Sequence, residues 1–165
     1  MNRLYLAVVG GGGRVPDPVL AVAEEVGRAV AEAGAVLVCG GLGGVMEAAC
    51  RGAQRAGGLT LGILPGRDRA EANAHVDVAV PTGLGEARNA LVVRCADAMV
   101  AVAGEYGTLS EIALALQAGI PVVGLDTWEL ARSGETVGAV VRAETPAQAV
   151  ASAVRLARAK RATGA

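Results

Sequence analysis

The chain has 165 residues and a formal net charge of −1, from 15 basic and 16 acidic side chains, and 53% of it is hydrophobic. This length suits one domain, residues 1–165, with roughly 160–165 as a flexible tail. Balanced charge provides no basic footprint for nucleic acid, and no apolar run is long enough to span a membrane, so a cytoplasmic protein with neither partner is expected.

The first apolar run, residues 4–9, reads as a strand that ends in Gly10-Gly11-Gly12-Gly13. Asp17 before Pro18 predicts the N-cap of a helix over residues 18–33, which Gly34 stops in a left-handed conformation. A second strand over 35–38 leads through Gly40-Gly41-Leu42-Gly43-Gly44 into a helix over 45–56, and a third strand covers 59–64. The polar stretch 65–75, with Arg67, Asp68, Arg69 and Glu71, reads as a mobile flap or a solvated connection in which Asn73 and His75 lie, His75 being structural.

A strand over 76–80, a helix over 85–95 and a strand over 98–102 follow, then Gly104-Glu105-Tyr106-Gly107-Thr108 and a helix over 109–118 that Gly119 ends. Pro121 opens a strand over 121–125, residues 137–141 suggest an edge strand, and a last helix covers 146–159. The basic residues between 155 and 161 form the polar face and end of that helix. Strands alternating with helices predict an α/β fold, a Rossmann-like three-layer αβα sandwich with a mainly parallel sheet. With no Phe and only Tyr5, Tyr106 and Trp128 as aromatics, the core must be built from Val, Leu, Ile and Ala.

Rare residue types remove several chemistries. Cys39, Cys50 and Cys95 are odd in number and widely spaced, which suggests neither a disulfide framework nor a metal site and fits a reducing compartment. His75 is the only histidine, so a zinc cluster and a Ser/His/Asp triad are unavailable. Lys160 is the only lysine and lies near the C-terminus, which leaves no internal lysine for a Schiff base or a P-loop.

All three glycine-rich loops leave the C-terminal ends of strands, the edge at which open parallel sheets bind ligands. Glycine admits close backbone approach to a phosphate, and helix N-termini hold anions; glycine also serves simply to turn the chain. The spacing does not match a dinucleotide fingerprint, since Val15 and Pro16 stand where GxGxxG needs glycine, and no acidic residue closes the second strand. Thr108 and Glu111 have the spacing of a capping box. Glu111 also lies one turn from the third loop, where a carboxylate would stabilise positive charge on a sugar or orient water. Arg88, beside Asn89 at a helix start, is either a phosphate ligand or an ordinary surface arginine.

Two motifs carry a family resemblance. Gly40-Gly41-Leu42-Gly43-Gly44-Val45-Met46-Glu47 is similar to the first signature of the Lonely Guy (LOG) family and its relatives, a group often labelled lysine decarboxylase-like that includes molybdenum cofactor carrier proteins. Ala103-Gly104-Glu105-Tyr106-Gly107-Thr108-Leu109-Ser110-Glu111 resembles its second, PGGxGTxxE, with the proline and the second glycine lost. Cys39 and Glu47 replace the outer glycines of the first motif, and Asn89 follows Arg88 where the family has lysine.

The resemblance implies cleavage of the N-glycosidic bond of a nucleoside 5'-monophosphate to free base and ribose 5-phosphate, with Arg88 and Glu111 catalytic and no cofactor or metal required. Gly11, Gly12, Gly41, Gly43, Gly44, Met46, Asn89, Gly104, Tyr106, Gly107 and Thr108 would then bind phosphate and nucleotide. The alternatives are a carrier that binds molybdenum cofactor, a phosphorylated pterin, and a non-catalytic nucleotide sensor. Pyridoxal-dependent lysine decarboxylation is disfavoured by the missing internal lysine. Family likeness also implies a homo-oligomer, dimer or tetramer, and the stripe Leu109, Ile112, Ala113 and Leu116 would serve either such an interface or the sheet.

Overall fold

The computed structural model describes residues 3–164. Strand β1 (Tyr5–Gly10) is followed by α1 (Asp17–Glu32), β2 (Val36–Cys39), α2 (Val45–Arg55) and β3 (Leu59–Leu64). Next come β4 (Val78–Pro81), α3 (Asn89–Arg94), β5 (Ala98–Val102), α4 (Tyr106–Gln117) and β6 (Val122–Leu125). Strands β7 (Leu130–Arg132), β8 (Glu135–Val137) and β9 (Val140–Arg142) precede α5 (Pro146–Thr163).

Seven strands form one parallel sheet in the order β4-β3-β2-β1-β5-β6-β9. The expected Rossmann-like sandwich is what forms. Alternation along β1 explains the layers: Leu6 and Val8 face a core shared with α1, α2 and α5, whereas Ala7 and Val9 face one shared with α3 and α4. Helices α1 and α2 cross closely because a Cβ on Gly27 would meet the Ala49 carbonyl and one on Gly52 the Glu24 carbonyl. Within the stripe on α4, Ile112 is fully buried against the sheet, while Ala113 is exposed.

Several local expectations change. Asp17 is not a cap, because α1 is capped by Pro16 without a side-chain bond, and Asp17 sits in the first turn where its charge still suits the dipole. The helix expected over 85–95 is a 3-10 turn, Gly85–Arg88, followed by the short α3. A hairpin of β7 and β8 precedes the expected edge strand, which is β9. Helix α5 runs to Thr163, past the expected end at 159; Thr145 Oγ1 caps it by accepting from the Gln148 N–H at 3.2 Å, and Arg161 Nη2 reaches Asp97 Oδ2 at 2.6 Å. Cys95 is exposed, whereas Cys39 and Cys50 are buried.

Candidate functional site

Strand order reverses between β1, whose chain continues toward β2, and β5, whose chain continues toward β6. Neighbouring loops part at such a point and leave a crevice at the carboxyl ends of the strands. Here it is a cavity of about 510 Å³ between the loop after β1, the start of α2, Arg88 and Asn89, and the loop after β5. Gly11, Gly12, Met46, Arg88, Asn89, Gly104, Gly107, Thr108 and Glu111, all singled out from sequence, line it together.

Gly41, Gly43, Gly44 and Tyr106 do not line it, and each has another task. Gly41 turns at φ +75° with no room for a Cβ beside Leu64. Gly44, at φ +65°, lies against the Gly11 carbonyl, which accepts the Val45 N–H at 2.9 Å and so covers the start of α2. Gly43 stands next to the Gly12 carbonyl. Tyr106 is 78% exposed and packs on Trp128 with ring centroids 5.7 Å apart. The second glycine loop thus holds up the first, and the first and third face the cavity.

Arg14 and Glu105 also line the crevice, and sequence reasoning passed over Arg14. Its signal was a cation directly after four glycines at a strand end. Glu105 is the N-cap residue of α4, so the helix begins three residues before the expected start at 109. Thr108 and Glu111 are consequently inside the helix, the capping box does not form, and both side chains are buried. Gly104 has φ +101°, and a Cβ there would collide with the Thr108 side chain.

Arg88 is no surface residue: it is 8% exposed, with Nη2 donating to the Gly40 carbonyl at 3.3 Å and Nη1 to Asn89 Oδ1. Its Nε finds no partner among the described residues. Burial depresses its pKa, and nearby Glu111 opposes that shift. Glu111, also 8% exposed, is pushed up to about 7 by burial, with Arg88 pulling the other way. Such a carboxyl exists in both protonation states near neutrality and acts as donor or acceptor accordingly.

The polar stretch after β3 is a pinned connection rather than a flap. Asn73 Nδ2 donates to the Leu42 carbonyl at 2.8 Å, and Asn73 N–H donates to the Gly41 carbonyl at 2.9 Å. His75 Nδ1 lies 2.8 Å from Gln54 Oε1, a structural contact. Behind the second loop, the buried thiols of Cys39 and Cys50 approach to 3.5 Å, and their hydrogen bond lowers the Cys39 pKa and raises that of Cys50.

A parallel αβα sandwich with glycine loops around a switch-point crevice defines a Rossmann-like ligand-binding class. The chain belongs to the SLOG cluster4 family, whose model matches residues 3–150. That match shows the SLOG superfamily; the narrower LOG membership suggested by the motifs goes beyond it.

Over 125 residues the chain is 43% identical to an uncharacterized protein of Archaeoglobus fulgidus, covering 76% of this chain and 82% of that protein. Among solved structures it is similar to the molybdenum cofactor binding protein of Rippkaea orientalis, at 35% identity and a TM-score of 0.86, over 94% of this chain and 98% of that one. It is similar, too, to the Moco carrier protein of Chlamydomonas reinhardtii, at 36% identity and a TM-score of 0.83, over 96% and 99% of the two chains. DNA processing protein A of Helicobacter pylori, described for its single-stranded DNA binding mode, shares the fold alone at 20% identity and a TM-score of 0.69, over 92% of this chain and 80% of that one. The fold itself therefore does not exclude nucleic acid as the charge balance suggested. No helix of the described residues is long and apolar enough to cross a membrane.

Proposed function

We propose that the crevice binds the phosphate end of a pterin of the molybdenum cofactor type and that the protein carries this ligand unchanged. The observation that carries the proposal is Arg88, a nine-tenths buried cation lining the crevice with an Nε unpartnered among the described residues. A buried charge without its full set of partners costs several kcal/mol unless a ligand completes it, and an anion does so best. The first N–H groups of α4, at Gly107 and Thr108, have no partner within the helix and add the positive end of its dipole. Gly11, Gly12 and Gly104 allow the backbone to come close, while Met46 and Asn89 complete the wall. Similarity to two molybdenum cofactor binding and carrier proteins supports the choice of pterin.

A second reading, phosphoribohydrolase activity on a nucleoside 5'-monophosphate, draws on Glu111, a buried carboxyl titrating near 7 beside Arg88. The two separate in one experiment. Purified protein is loaded with molybdenum cofactor and the retained pterin read by fluorescence after oxidation, while a parallel sample is incubated with nucleoside 5'-monophosphates and assayed for free base. Retained pterin that is lost in Arg88→Met, with no base released, supports the carrier. Base release abolished by Glu111→Ala overturns it in favour of the hydrolase.

A further inference from the structure

The crevice does not end at α1. A second cavity of about 450 Å³ lies at the same sheet edge, over the ends of β5 and β6, and Val19 and Ala103 line both. The two cavities adjoin at these residues, and we treat them as two lobes. The walls of the second lobe are apolar and come from well-packed elements: Pro18, Val19 and Val22 on α1, Val102 and Leu125 at strand ends, and Ala143 before α5.

Charge differs between the lobes. The first holds Arg14, the buried Arg88 with its orphan Nε and the N-terminus of α4, beside Glu105 and the buried Glu111, whose pKa is pushed up to about 7. The second holds Asp126 and Glu144, and neither makes an ion pair among the described residues. Arg142 at its rim is held instead by Glu129, at 3.4 Å. Asp126 sits at φ +46°, and the rim is tied across the two strands, with Ala103 N–H donating to the Leu125 carbonyl at 3.0 Å and Thr127 Oγ1 to the Ala103 carbonyl at 2.5 Å.

A ligand suited to this slot has an anionic end, a flat body for apolar walls, and N–H donors at the far end. A carboxylate accepts two parallel N–H bonds from an N–H and amino group on adjacent atoms, the edge that guanine and pterins present. Adenine offers a ring-nitrogen lone pair at the equivalent place, which a carboxylate repels. A hydrated ammonium gains little from the apolar walls.

We infer that the Asp126 lobe selects a 2-amino-4-oxo heterocycle, with the phosphate of the same ligand in the Arg88 lobe. Asp126 and Glu144 are then specificity residues, which rests on the reading that the Arg88 lobe binds phosphate.

The test is calorimetric titration of the full chain with inorganic phosphate, guanosine 5'-monophosphate and adenosine 5'-monophosphate. Wild type binds the guanine nucleotide roughly tenfold more tightly than the adenine nucleotide, the discrimination expected of one good bidentate pair. Asp126→Asn, which tolerates the left-handed backbone as Asp does, and Glu144→Gln, at an exposed site, reduce that preference singly and abolish it together. Inorganic phosphate binds all of them equally. Equal binding of the two nucleotides by wild type, or a preference that survives the double substitution, overturns the selectivity while leaving the phosphate site intact. Failure of every phosphate compound to bind overturns the underlying reading, and the inference with it.

Discussion

The Val45 main-chain N–H donates to the Gly11 carbonyl at 2.9 Å, so the first glycine loop is fastened to the start of α2 by its own backbone. The fit requires Gly44, where a Cβ would collide with the same carbonyl oxygen. Gly44→Ala is therefore expected to cost about 2–4 kcal/mol, from a positive φ plus overpacking, measured by urea unfolding. Gly107 lines the crevice, and a Cβ there would have open space around it, with no atom within 4 Å. Gly107→Ala is expected to hold or raise stability by up to about 1 kcal/mol, through helix propensity, while weakening phosphate-ligand binding. A matching loss of stability in both variants would contradict this division of roles.

Arg88→Met keeps most of the buried side-chain volume and removes the charge. Loss of a charged hydrogen-bonding partner, about 1.5–3 kcal/mol, lowers affinity for a phosphate ligand by roughly 10- to 150-fold. Unfolding free energy is expected to hold or rise, because a partly unsatisfied buried charge disappears. Titration calorimetry and denaturation read the two effects separately, and unchanged affinity would remove Arg88 from the site.

Glu111 links stability to pH. Its native pKa is about 7 against an ordinary 4.5, so between those values the native state holds a proton that the unfolded chain has released. Stability is complete below about 4.5 and falls as pH rises through 7, by roughly 3 kcal/mol in all. Glu111→Gln should flatten that dependence and be the more stable protein at pH 8. Binding of an anionic ligand, which favours the neutral carboxyl, should weaken in wild type as pH rises above about 7, and a flat stability profile in wild type would sink the assignment.

Asn73→Ala removes two bonds to the carbonyls of Gly41 and Leu42 and one to the His75 N–H. An expected cost of about 1–3 kcal/mol follows, with faster amide exchange over residues 41–44 and 65–75. Exchange unchanged in the 41–44 segment would mean that the connection does not brace the second loop.

The strand runs were readable as a parallel sheet because burial on both faces demands unbroken apolar sequence, as in the fully buried β2 and β5. Gly34 and Gly119 were readable as helix stops, and both have positive φ. These are local properties, set by neighbours in the chain. The role of Gly44 was not readable, because the carbonyl that excludes its side chain belongs to Gly11, more than thirty residues away. Nor was the burial of Arg88, since Gly40, Asn89 and Glu111 surround it only once β2, α3 and α4 meet at the sheet edge. Sequence by itself determined the alternation of elements, the layers and the loops that could face a ligand. Tertiary structure alone decided which glycines face the cavity, which ones only make room for backbone, and which charges lose their water, because desolvation and close contact depend on what else occupies the same space.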